Sequence, residues 1–453
     1  MDITNVVEQL RTLAGAANVL CGGDIGADFT RDEYPGDSFT PDAVVKADSA
    51  GTAAAVAKLC FEQGIALTAR GAGTGQVGGC VPVKGGIVLS LKEMNKIVAV
   101  DAENKRITVE PGVLLQDVKA AADSCGLYYP PDPGEQTATI GGNAATDAAG
   151  PYAVKYGRTG DYVLELEIVT ADGRIERRAG REACAEIIGS EGALALITKL
   201  TLKLVDKPGA DAILLFPFMD AETAVKAAQR IMAGGYDVAA LEYMDTDIVD
   251  FSSKVAGSSV FPVEMDGEYT AGTLMLVLEG ADDDAVMEQM ESIAELAEEL
   301  ECLDILVIDT PSMKRDAWAA HAAFHTSMES GAKSAWEVNV DIPAERMAEM
   351  IEYAKAEGDE RGFKVMLHAH VGSGGMHIHA ASEQSRREAA PAAAELVDAL
   401  YKKTVELGGS AAGEYGVGYA KTAYVDSDTK AAFAALKAAM DARGILNPGK
   451  VVS

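Results

Sequence analysis

Residues 69–91 read ARGAGTGQVGGCVPVKGGIVLSL, and the fold turns on how this stretch is understood. Gly73, Gly75 and Gly78 match G-x-G-x-x-G, which marks a dinucleotide site when a strand precedes the glycines and a helix follows them. A strand does precede, the short apolar run IALTAR at 65–70. No helix follows: CVPVKGG carries Pro82 and two more glycines and runs into the β-branched strand GIVLSL, so no helix N-terminus is available to a pyrophosphate. Taken alone, the glycines leave two readings open. Successive main-chain N–H groups could form an anion-binding nest, which needs glycine because the anion must approach the backbone closely, or the cluster is a set of tight turns.

Outward from this loop, AGTAAAVAKLCFEQG at 50–64 predicts a helix, and KIVAVDAENKRITVEPG at 96–112 predicts two strands about a polar turn. LLQDVKAAADSCG at 114–126 predicts another helix. Tyr129 to Gly160 shows neither period, and so long an irregular segment inside a domain is usually functional. The strands YVLELEIVTADG and ALALITKLTLKLV then close a first α+β domain, residues 1–207. From 208 the rhythm changes to ILLFPF, a helix, VAALEYM, then TLMLVLEG, a helix and LDILVI. These two β-α-β units predict a second domain, 208–404, with an antiparallel sheet covered by helices on one face. Residues 405–453 form a C-terminal segment ending in the extended GILNPGK.

Hydrophobic residues at 48% and charged residues at 24% are those of a folded globular chain, and 453 residues allow several domains. A formal charge of −31 excludes a nucleic-acid partner. Solubility alone explains such a surface, although it could also steer a basic protein. No apolar run approaches the roughly 20 residues of a spanning helix, and the N-terminus carries no basic, then apolar, leader, so the expected location is the cytoplasm. Six scattered cysteines without a C-x-x-C pair argue against disulfides, zinc ribbons and iron–sulfur clusters.

All six histidines, His321, His325, His368, His370, His377 and His379, lie in the second domain. In LHAHVGSGGMHIHA, residues 367–380, two i, i+2 pairs flank a Gly-rich turn; if both flanks are strands, each pair shares a face and a hairpin brings the pairs together. Imidazoles so grouped, with a carboxylate nearby, make a site for zinc, manganese or iron(II). Their number and spacing favour metal binding or catalysis over hydrogen-bonded structural histidines.

The motifs ARGAGTGQVGG, PPDPGEQTATIGGNAATDAAGPYAVKYGRTGDYV, GSEGALALIT and GILNPGK, in register over nearly the whole chain, resemble the vanillyl-alcohol-oxidase-type (PCMH-type) flavoproteins, in particular their D-lactate and glycolate dehydrogenase branch. The resemblance resolves the glycine loop in favour of the nest. It implies a two-part FAD-binding domain followed by a substrate (cap) domain. Arg70, Gly71, Ala72, Gly73, Thr74 and Gly75, with Gly78 and Gly79, would line the FAD pyrophosphate. Pro131, Asp132, Gly141, Gly142 and Asn143 would flank the isoalloxazine and ribityl chain, Glu191, Gly192 and Ile197 would approach the adenine side, and Asn447 would reach the flavin from the tail. With no histidine in either loop, the FAD is expected to be non-covalent.

Relatives of this branch carry H-x-G-D-G-N-x-H and G-E-H-G, whose two histidines and glutamate bind a metal; His370, His377 and Glu414 keep those positions. The chain departs from the pattern at Ser373 and Gly375, which replace Asp and Asn, and at Tyr415, which replaces the histidine that usually serves as base. We expect the base to have moved to His379, with Tyr415 orienting it. His321, near Trp318, stands where the family has an arginine that pairs with the substrate carboxylate. An imidazole grips a carboxylate less firmly than a bidentate guanidinium. The expected activity is metal-assisted oxidation of a small 2-hydroxy acid, with electrons passed to a separate acceptor such as an electron-transfer flavoprotein, an iron–sulfur subunit or a quinone. Two rivals are an FAD enzyme for another alcohol or a bulkier acid, and a flavin-carrying assembly subunit whose pocket has decayed.

Overall fold

A computed structural model describes residues 3–257 and 260–451. The chain divides into two compact units: residues 1–149, 158–207 and 414–453 form the first, and 150–157 with 208–413 the second. Among the described residues no helix is long and apolar enough to cross a membrane.

The first unit holds two main sheets and a two-stranded pairing of Leu127–Tyr128 with Val205–Asp206. Ala43–Lys46, Ile87–Ser90 and Leu67–Arg70 lie parallel, with Val19–Cys21 added antiparallel at one edge. These strands are short apolar runs because their residues are buried on both faces, as AVVK and IVLS are. The predicted helix, Ala50–Gln63, links two of them; the Ser49 hydroxyl accepts from the Thr52 N–H at its start, and Gly64 at φ 67° ends it. The second sheet is antiparallel, in the order Ile97–Asp101, Arg106–Val109, Leu196–Lys203, Val163–Val169, Ile175–Ala179. The tail returns to the first sheet, where the Leu67 N–H donates to the Ile445 carbonyl and the Asn447 N–H to the Leu67 carbonyl, at 2.8 Å each.

The second unit is built on one seven-stranded sheet in the order Leu306–Ile308, Ala210–Phe218, Gly272–Gly280, Val238–Asp245, Lys364–His370, Gly375–Ser382, Ser334–Asp341, with every neighbouring pair antiparallel. Helices cover one face, as the β-α-β rhythm implies: Gly358 of the helix Met347–Arg361 packs against Val365, and Gly280 lies against Val286 of the helix Asp283–Glu295. The opposite face also carries helices, beyond the one-face arrangement read from the sequence. Thr246–Ala256 and Pro311–Gly331 pack there through Ile248, Val249, Ala317, Phe324 and Met328 onto Ile213, Leu215, Met275, Val277, Met244 and Met366. Consecutive strand residues alternate faces, so a sheet that buries both sides needs apolar cover on both. The second unit also retains residues 405–413, where Ser410 and Asp341 exchange main-chain hydrogen bonds of 2.9 Å.

Candidate active site: a buried histidine and carboxylate wall

The predicted hairpin forms, with Lys364–His370 and Gly375–Ser382 closing over a turn in which the Ser373 and Gly374 amides donate to the His370 carbonyl. Its register sets His368 opposite His377 and Met366 opposite His379. On the flanking strands Glu242 faces His370, while Glu337 faces His379 and Asn339 faces His377. Cross-strand partners share a face, so one face of four adjacent strands carries four histidines and two glutamates. His321 and His325 reach the same face from the helix Pro311–Gly331.

These groups form one hydrogen-bonded chain. His321 Nε2 lies 3.1 Å from Glu242 Oε2, which lies 2.5 Å from His370 Nδ1. His370 Nε2 faces His377 Nε2 at 3.3 Å. His377 Nδ1 lies 2.9 Å from Glu337 Oε1, and Glu337 Oε2 lies 2.7 Å from His325 Nδ1. A carboxylate can only accept, so each Nδ1 that faces one donates to it. The two Nε2 atoms, with the Asn339 amide nitrogen 3.4 Å from that of His377, can share one proton or one cation between them. Imidazole held from behind by a carboxylate is the usual setting of a metal-ligating histidine.

Both carboxylates stay ionised. Burial works to raise Glu242, but the charges and hydrogen bonds of His370 and His321 outweigh it and hold the group below the usual carboxylate range. Burial likewise opposes ionisation of Glu337, and His379, His325 and His377 bring it well below that range. His368 is lowered well below an ordinary histidine, first by burial and then by its histidine neighbours. Burial takes His379 down to about 4, so it is neutral at neutral pH, and its Nε2 is buried without a hydrogen-bond partner.

His321 is 8% exposed, its Nε2 engaged by Glu242 and its ring against Trp318, Phe324 and His368. Glu414 is buried at the start of the returning segment, and Tyr415 beside it has its ring 5.9 Å from the ammonium of Lys421. Lys421 is itself 2% exposed. Lys155 is paired to Glu279 and Asp237, a structural anchor within the second unit. Sequence reasoning missed Glu242 and Glu337, and the signal was a lone carboxylate in the middle of an apolar strand, in VAALEYM and SAWEVNV.

In the first unit Arg70 ends its strand buried, its guanidinium 3.1 Å from Cys80 Sγ. Beyond it, the amides of Gly71, Ala72, Gly73, Thr74 and Gly75 donate to no main-chain carbonyl among the described residues. Such a run of unpaired N–H groups calls for an acceptor, and a pyrophosphate supplies one. Gly73 and Gly78 have φ of 86° and 73°; a Cβ would strike the Arg70 guanidinium at the first and the Tyr419 ring at the second. A Cβ on Gly71 would strike Thr139, so this loop and the turn leading to Gly141, Gly142 and Asn143 lie side by side. Asn143 is buried with its Nδ2 unpartnered. These residues fit an FAD.

Other predicted FAD residues are committed within the protein. Pro131 is buried and Asp132 binds Lys119 and Gln136. Glu191 accepts the Val417 and Gly418 N–H groups at 2.6 and 2.8 Å, and Gly192 follows it at φ 71°. Asn447 donates to the Gly79 and Glu191 carbonyls and accepts from Lys450. Ile197 is buried on its strand opposite Ile168. Glu191 and Asn447 therefore fasten the loop, the returning segment and the tail to one another.

The chain matches two protein families. Residues 41–178 match the FAD binding domain family and residues 207–451 the family of FAD linked oxidases, C-terminal domain. A D-lactate dehydrogenase of Anaerostipes hadrus is 35% identical over 98% of this chain and 97% of its own. The glycolate oxidase subunit GlcD of Bacillus subtilis is 30% identical over 100% and 97%. Among solved structures, p-cresol methylhydroxylase with substrate bound shares the fold at a TM-score of 0.81 and 20% identity, over 99% of this chain and 96% of that one.

Proposed function

The chain belongs to the FAD-linked oxidases, oxidoreductases built on an FAD-binding domain, and from that premise we propose that it dehydrogenates a small 2-hydroxy acid of the D-lactate or glycolate type. The observation that carries this reading is the approach of His370 Nε2 to His377 Nε2 at 3.3 Å, each ring held from behind by a carboxylate.

FAD, held non-covalently on the Arg70–Gly75 loop with Gly78, supplies the hydride acceptor. A divalent ion, zinc, manganese or iron, held by His370, His377 and Glu414, supplies Lewis-acid polarisation of the substrate hydroxyl and carboxylate. Glu242 and Glu337 keep the two imidazoles in the ligating tautomer. His379 offers a neutral, unpartnered Nε2 to take the hydroxyl proton, with Tyr415 orienting it. His321, its Nε2 engaged by Glu242, has only Nδ1 to offer a substrate carboxylate. The acidic surface, at −31, suits a basic protein acceptor such as an electron-transfer flavoprotein or an iron–sulfur subunit.

A second reading, a different alcohol or a bulkier hydroxy acid, rests on the altered residues His321, His379 and Tyr415. Metal analysis and anaerobic bleaching of the flavin's visible absorbance by D-lactate, glycolate and D-2-hydroxyglutarate test the set. Metal with rapid bleaching supports the hydroxy-acid reading, and metal without it moves the assignment to another substrate. Absence of both leaves a flavin subunit with a decayed pocket. For the base, His379→Gln is expected to stop turnover while Tyr415→Phe slows it, and the reverse order would refute the assignment.

A further inference from the structure

We propose that His325, Glu337 and His379 form a second cation site, distinct from the His370–His377 pair and suited to Zn2+. One ligand atom from each of the three lies within 4.8 Å of the others. They come from three separate elements of the second unit, the helix Pro311–Gly331 and two adjacent strands, and Glu337 and His379 are direct cross-strand partners. Zinc bonds of about 2.0–2.2 Å to nitrogen and oxygen need these donors closer together by roughly an ångström, within reach of side-chain rotation.

The independent sign of a ligand is His379, 2% exposed, whose Nε2 has no hydrogen-bond partner. A nitrogen lone pair enclosed in protein without a donor is what a cation would satisfy. Glu337 brings the negative charge, and two imidazoles with one carboxylate leave a zinc ion a fourth position for water. His325, with its side chain 36% exposed, is the entry point.

The same carboxylate joins this site to the first. Glu337 meets His325 through Oε2 and His377 through Oε1. An ion on Glu337 would draw charge from the oxygen that orients His377, so the two ions bind against each other. It would also engage the His379 lone pair; on our reading of His379 as the base, occupation and turnover exclude one another.

The flavin-loaded protein is dialysed to equilibrium against buffered free Zn2+, and bound zinc is counted by elemental mass spectrometry. The wild type is expected to hold two equivalents, and His325→Ala and His379→Gln one each. Flavin retention and the circular dichroism spectrum verify that each variant is folded; His325 is accessible enough for its truncation to be tolerated. If His370→Ala binds as much zinc as the wild type while His325→Ala and His379→Gln each bind one equivalent less, the second site stands and the reading of the first falls. A single equivalent that His370→Ala removes and His325→Ala keeps, or His325→Ala and His379→Gln both matching the wild type, would overturn the second site; a single equivalent lost in His325→Ala and kept in His370→Ala would overturn the reading of the first.

Discussion

Replacing Glu242 with glutamine isolates what the buried carboxylate would do for the ion proposed at His370 and His377. Glu242 is fully buried; its Oε2 serves both His370, at 2.5 Å, and His321, at 3.1 Å, while Oε1 has no partner. Glutamine can keep its oxygen at the Oε2 position and turn its amide toward the unpartnered side, so the geometry survives and the charge is lost. A hydrogen bond to a charged group contributes about 1.5–3 kcal/mol and a neutral one about 0.5–1.5, so the bond behind His370 loses roughly 1–2 kcal/mol. At about 1.4 kcal/mol per decade, zinc affinity should fall roughly tenfold, the lower end of the ~10- to 100-fold range for loss of an outer partner of a ligand. The assay is competition for Zn2+ against a chelator of known affinity, with the thermal midpoint as a control on folding. An affinity within about twofold of wild type, in a folded variant, would refute the argument that Glu242 acts on the ion through His370.

The remaining expectations concern the first unit. Burial raises Asp32 to about 6, above an unfolded value of ~3.9, so its folded form binds the proton more tightly. Its contribution is present below about pH 4 and is lost as pH rises through 6, on the order of 3 kcal/mol. Asp32→Asn should therefore raise the thermal midpoint at about pH 7.5 by roughly three times as much as at about pH 4.5, and an equal effect at both would contradict the sign. Gly73→Ala places a methyl 2.0 Å from the Arg70 Nη2 at a φ of 86°, and should weaken flavin retention on gel filtration about tenfold, a ~1–2 kcal/mol effect. Glu191→Gln leaves one of the two N–H groups of Val417 and Gly418 facing an amide; we expect a loss of about 1–3 kcal/mol, read as a midpoint lower by several degrees, with partial loss of flavin.

What could be read from the sequence depended on whether the signal was local. The absence of a helix after Gly78 was legible because Pro82, Gly85 and Gly86 are local facts, whereas the glycines alone left nest and tight turns open and only the resemblance chose between them. The hairpin was legible because i, i+2 spacing about a Gly-rich turn dictates a shared face. Glu242 and Glu337 were not legible as site residues, because only pairing with strands far along the chain sets them behind His370 and His377. Residues 150–157 read as part of one long irregular loop, yet they belong to the second unit, where Lys155 pairs with Glu279 and Tyr152 stacks near Trp318. The face carrying Thr246–Ala256 and Pro311–Gly331 went unread because periodicity shows that a helix has an apolar side, and not which sheet face it meets.

The pairing of Leu67 with the tail bears on how the chain emerges during synthesis. The first unit's opening segments are complete by Lys207, but Ile445 and Asn447, which close its sheet at Leu67, come last. At about 5–20 residues per second, the wait for Glu414 to be made after Lys207 is roughly 10–40 s. Through that interval the Leu67 strand has an open edge, the part of a sheet most prone to pair with the wrong chain. Residues 208–413 follow one another without a break and need only the eight-residue stretch 150–157, already made. The later-encoded unit can thus finish folding first, and the earlier one stays incomplete until Ile445 and Asn447 have been made.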